Sequence, residues 1–405
     1  MAKAQLPKSE EDLAEIIKSA KAKGQVLSIK GGGTRPIGNP VSADAVLATT
    51  SMTGITLYEP GALTIVSKAG TPLEEIEKAL TKENQHLPFE PANYAGLFGI
   101  KSKSTIGGVV AAAVSGPRRI QTGACRDSLI GVRFVSGDGD IIKNGGRVMK
   151  NVTGYDLVKL MTGSYGTLGV LSEVSFKVLP KPELTGSVFI SGLEDSEAVS
   201  VLAKALSSPF DVSGAAHLQK DANGNPLTLV RVEGFTESIK YRTEELKKLI
   251  APTLPSQAEI NIDIDPVSTR KQWNAIRDIE AFQGREGAVW RVSVKPSDGP
   301  KLVGELSKQM ELEVQFDWGG GLIWLLVDSG SLDDAKQIRK SVDSFGGHAT
   351  LIRRASDSDI EIESFHPEPN RIATISQNLR LQFDPAGILN RGLMAPFSAM
   401  TKERA

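Results

Sequence analysis

The sequence predicts an α+β protein built from two differently organised parts. Its 405 residues are enough for two or more domains. In the first part, short strand-like runs alternate with glycine-rich loops, and the last run ends at Pro180 and Pro182. From residue 184 onward, strands and helices alternate without a phosphate-binding loop, which is typical of helices on one face of a mainly antiparallel sheet. We therefore expect a first domain at 1–182, a second at 183–360 and a C-terminal segment at 361–405.

Two helix starts are visible in the first part. Ser9 and Asp12 resemble a capping box before an apolar helical face that runs to Gly24. Thr71 and Pro72 have the residue types of an N-cap and a first helical position, and a second apolar helical face follows them. These signals predict two helices in the first domain.

The runs around these helices predict strands and one hairpin. GVRFVSGDGDIIKNGG at 131–146 has two strand-like runs around the turn Asp138-Gly139. TIGGVVAAAVSGPRR at 105–119 consists mostly of small residues and predicts a short helix. Further strands are predicted at QVLSIK (25–30), AVLATT (45–50) and LTIVSKAG (63–70).

The overall composition excludes some functions. Lys and Arg total 47 against 48 for Asp and Glu, and aromatic residues make up 5% of the chain. A near-neutral chain without a basic run or an aromatic platform gives no reason to expect nucleic acid as a partner.

The cysteine count and the apolar runs indicate the cellular compartment of the protein. Cys125 is the one cysteine, so the chain has neither an intrachain disulfide nor a thiolate metal cluster. The N-terminus shows no apolar run of a secretory signal, and no stretch of about 18 apolar residues occurs to span a membrane. We expect a cytoplasmic protein without direct membrane insertion, and association with the inner membrane through partners stays open.

The run VLSIKGGGTRPIG at 26–38 is the most informative loop. A dinucleotide fingerprint would need a helix after the glycines, but Pro36 and Pro40 follow and no helical period begins. A tight turn is one explanation. Another is a nest of backbone N–H groups around a pyrophosphate, with Thr34 as a further donor. TIGG at 105–108, at a helix start, would supply a second set of N–H groups, and GTLGVL at 166–171 would supply a third close approach to such a ligand.

The ordered motifs resemble the FAD-binding domain of the vanillyl-alcohol oxidase / p-cresol methylhydroxylase (PCMH) family. They are KGGGTRPIG, VSKAGTPLEEIEKAL, LPFEP, TIGGVVAAAVSGPRR with GACRDSLIGVRFVSGDG, and KNVTGYDLVKLMTGSYGTLGVLSEVSFKVLP. The resemblance covers roughly residues 1–182, and DPAGILNRG at 384–392 is similar to the family's closing motif. It implies a PCMH-type FAD-binding domain of two α+β subdomains, then a ferredoxin-like α+β cap domain, with the C-terminal segment returning to the flavin.

The resemblance also implies which residues bind FAD. Each has a simpler alternative, such as capping a helix or forming a turn. The residues carried over fall into four groups: Gly31, Gly32, Gly33 and Thr34 at the pyrophosphate; Thr105, Ile106, Gly107 and Gly108 on its second side, with Ser115 and Gly116 near the ribityl end; Gly123 and Asp127 beside the flavin; and Gly169, Val170 and Leu171 on the adenine side, with Asn390 near the isoalloxazine.

Two departures from the family pattern refine these expectations. Covalent members carry a histidine directly after the glycine loop, where this chain has Thr34, so we expect noncovalent FAD. Related 2-hydroxy acid dehydrogenases carry a histidine-rich metal cluster in the second half. The histidines of this chain do not have ligand spacing, so no metal site is expected: His86, His217, His348 and His366.

Oxidation of a 2-hydroxy acid needs a hydride acceptor, a base and a cation for the carboxylate. Arg291 in AVWRVSVKPS is the best candidate for the cation, because a guanidinium suits bidentate carboxylate binding. Arg353 and Arg354 are weaker candidates, and a structural ion pair is an equally good explanation for Arg291. No residue stands out as the base, so the catalytic residues stay unknown.

Within the family, the chain resembles the FAD-binding subunits of heteromeric glycolate dehydrogenases. This implies a larger FAD-containing catalytic paralogue and an iron–sulfur subunit as partners. Two alternatives stay open. One is a self-sufficient FAD-linked D-2-hydroxy acid (D-lactate) dehydrogenase, and the other is a flavin-free structural subunit that kept the fold.

Overall fold

The fold is taken from a computed structural model, which describes residues 4–146, 154–221, 224–356, 358 and 362–395. Part of the motif KNVTGYDLVK and the residues after 395 lie outside these ranges. The described chain has the mixture of helices and strands that the sequence predicts, so the α+β fold class is confirmed.

The first part contains ten strands and six helices within the described residues. Its strands are β1 Ala4–Gln5, β2 Leu27–Lys30, β3 Ala45–Ala48, β4 Ile55–Glu59, β5 Thr64–Lys68, β6 Gln85–His86, β7 Leu129–Val135, β8 Ile141–Gly145, β9 Val170–Lys177 and β10 Leu179–Pro180. Its helices are α1 Glu10–Lys23, α2 Leu73–Lys82, α3 Ile106–Ala111, α4 Arg119–Thr122, α5 Cys125–Ser128 and α6 Leu157–Met161.

Two sheets organise the first part. A parallel sheet has the order β1-β3-β2, and an antiparallel sheet has the order β4-β5-β9-β7-β8. The hairpin predicted at 131–146 is confirmed, since β7 and β8 pair around Asp138 and Gly139. Ser9 is the N-cap of α1, as predicted, and accepts a hydrogen bond from the Asp12 N–H at 3.1 Å.

The predicted cap of the second helix is wrong by one residue. Pro72 is the N-cap of α2, and the Thr71 hydroxyl donates instead to the Lys68 carbonyl at 2.7 Å. The same hydroxyl accepts from the Gly54 N–H at 3.0 Å. The Thr71 hydroxyl is therefore bonded to residues that precede α2, so it does not cap the helix.

The second part adds eight strands and five helices, and a last helix follows it. The strands are β11 Leu184–Ser191, β12 Val212–Leu218, β13 Leu227–Gly234, β14 Glu259–Asp263, β15 Ala288–Ser293, β16 Leu312–Asp317, β17 Leu322–Val327 and β18 His348–Arg353. The helices are α7 Asp195–Leu206, α8 Thr236–Ile250, α9 Pro266–Arg277, α10 Gly299–Leu306 and α11 Leu332–Ser344, followed by α12 Asn370–Phe383.

The eight strands form one antiparallel sheet of order β14-β11-β13-β12-β16-β17-β15-β18. Each half of this sheet has the chain order β-α-β-β-α-β of a ferredoxin-like unit, from β11 to β14 and from β15 to β18. The two units join edge to edge through the pairing of β12 with β16. The ferredoxin-like cap is therefore present twice, a duplication that the sequence analysis did not detect.

The expectation that all helices lie on one face of this sheet is wrong. Gly186 on β11 faces α8, since a Cβ there would lie 2.7 Å from side-chain atoms of Ile239 and Thr243. Its neighbour Ser187 accepts a hydrogen bond of 2.9 Å from the Trp273 indole on α9. Adjacent strand residues project to opposite faces, so α9 covers the other side.

The two parts share a core, and the C-terminal segment returns to the first part. One hydrophobic cluster includes Phe176 from the first part together with Val289 and Trp324 from the second. After α12, the Leu27 N–H donates to the Ile388 carbonyl at 2.7 Å. The segment therefore lies against β2, beside the glycine loop.

Candidate functional site

A cavity lies in the first part, beside the glycine loop. The cavity brings together predicted site residues from four separate segments. They are Gly31, Gly32, Gly33, Thr34, Thr105, Gly107, Gly108, Gly169, Val170, Leu171 and Asn390.

The glycine loop is held tightly by the segment before α3. A Cβ on Gly32 would lie 1.7 Å from the Lys103 carbonyl oxygen, and one on Gly31 would lie 2.3 Å from the Thr105 hydroxyl. Gly33 has a positive φ of 70° and no atom within 4 Å of such a Cβ. The first two glycines are therefore required by the chain's own packing, and the third by its backbone conformation.

Two N–H groups of the loop are available to a ligand. The N–H groups of Gly33 and Thr34 meet no acceptor among the described residues, and both residues line the cavity. The Gly32 N–H makes one long contact of 3.4 Å with the Thr105 hydroxyl. Adjacent N–H groups of this kind suit an anion such as a pyrophosphate, so the loop fits the phosphate part of FAD.

The expectation that TIGG supplies a second set of free N–H groups is wrong. The Ile106 N–H donates to the Thr71 carbonyl at 3.0 Å, and the Gly107 N–H donates to the Ala69 carbonyl at 2.8 Å. The Gly108 N–H donates to the Thr105 hydroxyl at 3.4 Å. This segment therefore forms a wall of the cavity, and Gly107 permits close packing, since a Cβ there would lie 2.7 Å from Ala69.

Asn390 lines the cavity but its amide group is engaged within the protein. Its side-chain oxygen accepts from the Ile29 N–H at 2.7 Å, and its Nδ2 donates to the Tyr165 carbonyl at 2.7 Å. The resemblance placed Asn390 near the isoalloxazine. In the structure it joins the C-terminal segment to β2 and to the loop that carries Tyr165, a cavity-lining residue that the sequence analysis did not single out.

The remaining five predicted cofactor residues do not line this cavity. Ile106 is fully buried in the core. The Ser115 hydroxyl accepts from the Cys125 N–H at 2.9 Å, and the Gly116 carbonyl accepts from the Trp318 indole at 3.1 Å. Gly123 ends α4 with a φ of 84°, and Asp127 caps α5 by accepting from the Ala124 N–H at 2.8 Å.

Arg291 lies on the sheet face that meets the first part. It is paired with Trp324 on β17 and with Thr350 on β18, and His348 is paired with Ser293 two residues further along. Paired residues of a ladder share a face, so Arg291, Trp324 and His348 project to the same side. Trp324 contacts Tyr94 of the first part edge-on at 5.8 Å between ring centroids, so this face lies against the first part.

A second arginine lies close to Arg291. The guanidinium carbon of Arg291 is 5.2 Å from the centroid of the Trp318 ring, and that of Arg119 is 4.2 Å from it. Neither side chain forms a hydrogen bond or an ion pair with a described residue. Arg119 was not singled out from the sequence, and only the folded structure shows that it joins Arg291 at Trp318.

The electrostatic neighbourhood connects these arginines to the cavity. Burial raises the pKa of Tyr165 to about 12, and the nearby positive charge of Arg291 opposes the rise. Partial burial lowers the pKa of His348, and the charges of Arg291 and Arg119 lower it further. The charges of Arg291 and Arg119 therefore favour the neutral form of His348.

Arg353 and Arg354 have structural partners. Arg353 donates to the carbonyl oxygens of Leu97 at 2.9 Å and Arg285 at 2.7 Å. Arg354 donates to the Ile362 carbonyl at 2.6 Å. Their donors are therefore engaged by backbone groups, which leaves Arg291 as the stronger candidate of the three.

In the ranges that the structure describes, no group of three or more histidine, cysteine or acidic residues could hold a metal ion. Within the same ranges, no helix is both long and apolar enough to cross a membrane.

Comparisons with known proteins agree with the geometry of the cavity. A family model for an FAD binding domain matches residues 2–145. Glycolate oxidase subunit GlcE of Escherichia coli (strain K12) is 35% identical over 384 residues, which is 94% of this chain and 96% of that protein. Glycolate oxidase subunit GlcD of Bacillus subtilis (strain 168) is 31% identical over 179 residues, covering 44% of this chain and 37% of that protein.

The fold comparison extends over nearly the whole chain. The structure of 4-ethylphenol oxidase from Gulosibacter chungangensis matches with a TM-score of 0.69 and 14% identity. The match covers 98% of this chain and 90% of that chain. At this identity the likeness shows a shared fold, in which a PCMH-type FAD-binding part and a second α+β part occur together.

Proposed function

Because this chain belongs to the family of FAD-linked oxidoreductases that includes glycolate oxidase subunit GlcE, we propose that it is the FAD-binding subunit of a heteromeric glycolate dehydrogenase. The proposed reaction oxidises glycolate, a small 2-hydroxy acid, to glyoxylate. The observation that carries the proposal is the cavity of the first part, which is lined by two free N–H groups of the glycine loop.

The residues of the cavity fit FAD in distinct roles. Gly33 and Thr34 would bind the pyrophosphate through their N–H groups, and Thr105 would hold the loop in place through its contacts with Gly32 and Gly108. Gly169, Val170 and Leu171 line the same cavity and would form its adenine side. Contact of Ser115, Gly116, Gly123 and Asp127 with FAD remains a proposal from family resemblance alone.

The substrate would lie between Arg291 and the cavity. Arg291 and Arg119 would bind its carboxylate, since both guanidinium groups lack a carboxylate partner among the described residues. His348 would take the hydroxyl proton, because its lowered pKa keeps it neutral and ready to accept one. When bound, FAD supplies the acceptor for the hydride of the hydroxyl-bearing carbon.

We propose noncovalent binding of this FAD. The residue after the three glycines is Thr34, whose hydroxyl accepts from Arg35 at 3.3 Å. A threonine at this place offers a hydrogen bond where covalent relatives offer a histidine. Acid precipitation of the purified protein should leave all flavin in the supernatant, and flavin in the washed pellet would contradict the proposal.

The partner proteins are a further part of the proposal. The relative named GlcE is a subunit, so this chain is expected to act with other subunits. We propose a larger FAD-containing catalytic paralogue and an iron–sulfur subunit that receives the electrons. Any association with the inner membrane would take place through these partners.

The test is the visible spectrum with and without glycolate, recorded on the isolated chain and on the co-purified assembly. Flavin bands that glycolate bleaches only in the assembly would support the proposal. Bleaching of the isolated chain by D-lactate or glycolate would indicate a self-sufficient 2-hydroxy acid dehydrogenase. A purified chain without flavin bands would indicate a structural subunit.

A further inference from the structure

Arg35 lines the cavity directly after the glycine loop, and its guanidinium group is fixed in position. Its Nη1 donates to the Ser104 hydroxyl at 2.7 Å and its Nη2 donates to the Ala92 carbonyl at 2.7 Å. Its guanidinium carbon also lies 5.6 Å from the centre of the Tyr94 ring. These contacts hold the positive charge at one place in the cavity wall.

The charge of Arg35 has no acidic partner among the described residues. Each group that it contacts is neutral, and its buried Nε meets no acceptor in the same ranges of the chain. Burial lowers the pKa of the guanidinium, which reflects the cost of holding a charge there. Buried charges in proteins are normally paired with a group of opposite charge.

Two other buried arginines show the usual arrangement. Arg118 donates to both carboxylate oxygens of Glu233 at 2.9 and 2.7 Å, and Arg231 does the same to Glu90 at 2.9 and 2.7 Å. Arg35 differs from both, because the surface it faces is a ligand cavity. The anion is therefore expected to come from the ligand.

The position of Arg35 indicates which part of the ligand carries this charge. The pyrophosphate is served by the N–H groups of Gly33 and Thr34. The Arg35 guanidinium donates to the Thr34 hydroxyl at 3.3 Å and also lies over the ring of Tyr94, the residue that contacts Trp324 on the Arg291 face. Its charge also acts on Tyr165, as that of Arg291 does. Arg35 thus lies near the contact between the two parts of the protein, on the side of Arg291.

We propose that Arg35 is the fixed positive charge that faces the flavin ring and raises its reduction potential. The inference rests on the FAD of the proposed function. Two-electron reduction of a flavin at neutral pH adds one proton, so the reduced ring carries a negative charge that the oxidised ring lacks. A nearby cation stabilises the reduced form more than the oxidised form.

The experiment compares Arg35→Gln with the wild-type full-length chain and with Arg270→Gln. Arg270 is an exposed arginine on α9 without a hydrogen bond or ion pair to a described residue, so it is a matched charge control. Flavin content is measured first, and the potential is then measured by equilibration with a reference dye. For Arg35→Gln we expect retained FAD and an equilibrium constant for reduction about 10- to 100-fold smaller, or about 30–60 mV more negative.

A second variant covers the case in which Arg35→Gln does not fold. The imidazole that Arg35→His introduces loses its charge as pH rises through its usual pKa of about 6.5. One folded protein can therefore be compared with and without the charge. Its potential should fall relative to wild type as pH rises through this range, while Arg270→Gln follows wild type throughout. Identical pH dependence in Arg35→His and wild type would overturn the inference.

Two other results would also overturn it. An unchanged potential in folded, FAD-loaded Arg35→Gln would show that the charge does not act on the ring. Loss of FAD from folded Arg35→Gln would assign the charge to the pyrophosphate instead. Absence of flavin from the wild-type chain would contradict the proposed function, a result that the first measurement separates from the others.

Discussion

Arg231 of β13 donates to both carboxylate oxygens of Glu90, a residue of the FAD-binding part, at 2.9 and 2.7 Å. Arg118 of the FAD-binding part makes the reciprocal pair with Glu233 of β13. Four charges thus alternate across the contact between the two parts. They hold the sheet face that carries Arg291 at a fixed position relative to the cavity, because buried bidentate pairs tolerate little displacement.

Arg231→Leu should destabilise the protein strongly. The change leaves Glu90 and Glu233 buried with one arginine between them, so we expect the free energy of unfolding to fall by about 3–5 kcal/mol. Urea denaturation, followed by tryptophan fluorescence, would measure this. Arg270→Leu, at an exposed position of α9, is the control. Its free energy of unfolding should stay within about 0.5 kcal/mol of the wild-type value. Equal midpoints for the two variants would show that the pairs do not hold the parts together.

Asp317→Asn should change how stability depends on pH. Burial raises the pKa of Asp317 to about 7 from an ordinary value of 3.8. A raised carboxyl pKa means that the folded state binds the proton more tightly than the unfolded state does. The resulting stabilisation of the folded state is present at low pH and is lost as pH rises. Asparagine stays neutral, and its oxygen can still accept from the Trp318 N–H, which now donates to Asp317 at 2.7 Å.

The advantage of Asp317→Asn over wild type should therefore grow between pH 4 and 7, by at most about 1.4 kcal/mol per pH unit. Above pH 7 the advantage should be constant. Thermal unfolding of both proteins in one buffer series would measure it. A difference that is independent of pH would contradict the assignment of this titration to Asp317.

Gly32→Ala and Gly33→Ala should differ although the residues are neighbours. A methyl group on Gly32 would collide with the Lys103 carbonyl, so the loop must move and FAD should be lost. On Gly33 the methyl group meets open space, and the expected penalty is the left-handed backbone alone, about 1–2 kcal/mol. Flavin absorbance per chain and the midpoint of thermal unfolding distinguish the two. Equal flavin loss in both would show that the collision is not the cause.

Arg291→Gln should weaken substrate binding without loss of FAD. Removing a charged donor from a carboxylate corresponds to about 1.5–3 kcal/mol, so we expect KM for glycolate to rise about 10- to 100-fold in the assembled complex. Arg119→Gln should act in the same direction. Because both arginines lie at Trp318, the double variant should lose less than the product of the two single effects. Independent effects would place the two arginines at different groups.

The sequence was informative where local pattern and function coincide. Gly31, Gly32 and Gly33 pointed to a ligand loop, and the cavity forms there. TIGG pointed to free N–H groups that the structure does not provide, because those groups bond to Thr71 and Ala69. The spacing of glycines in a sequence can show that a backbone segment could lie close to a ligand. It cannot show whether the N–H groups of that segment bond to the ligand or to other residues of the protein.

Arg119, Tyr165 and His348 were missed for a different reason. They lie far apart in the chain. Arg119 ends the motif TIGGVVAAAVSGPRR and Tyr165 directly precedes GTLGVL, but neither motif indicates that these side chains approach Arg291. Their relation to Arg291 depends on how β15, β17 and β18 pair and on how the sheet meets the first part. Arg35 did carry a signal, since it follows the glycine loop directly, but its lack of an acidic partner is visible only in the folded chain.

The amino-acid sequence by itself determined the α+β class, the glycine loop and the hairpin at 131–146, because each depends on local backbone preference and apolar periodicity. It also carried the ordered motifs that predict FAD. The tertiary structure decided which N–H groups are free, which arginines lack a carboxylate and which sheet face meets the first part. These properties depend on contacts between residues that are far apart in the chain, such as Arg231 and Glu90. Only the folded structure shows which acceptor or opposite charge lies next to each polar group.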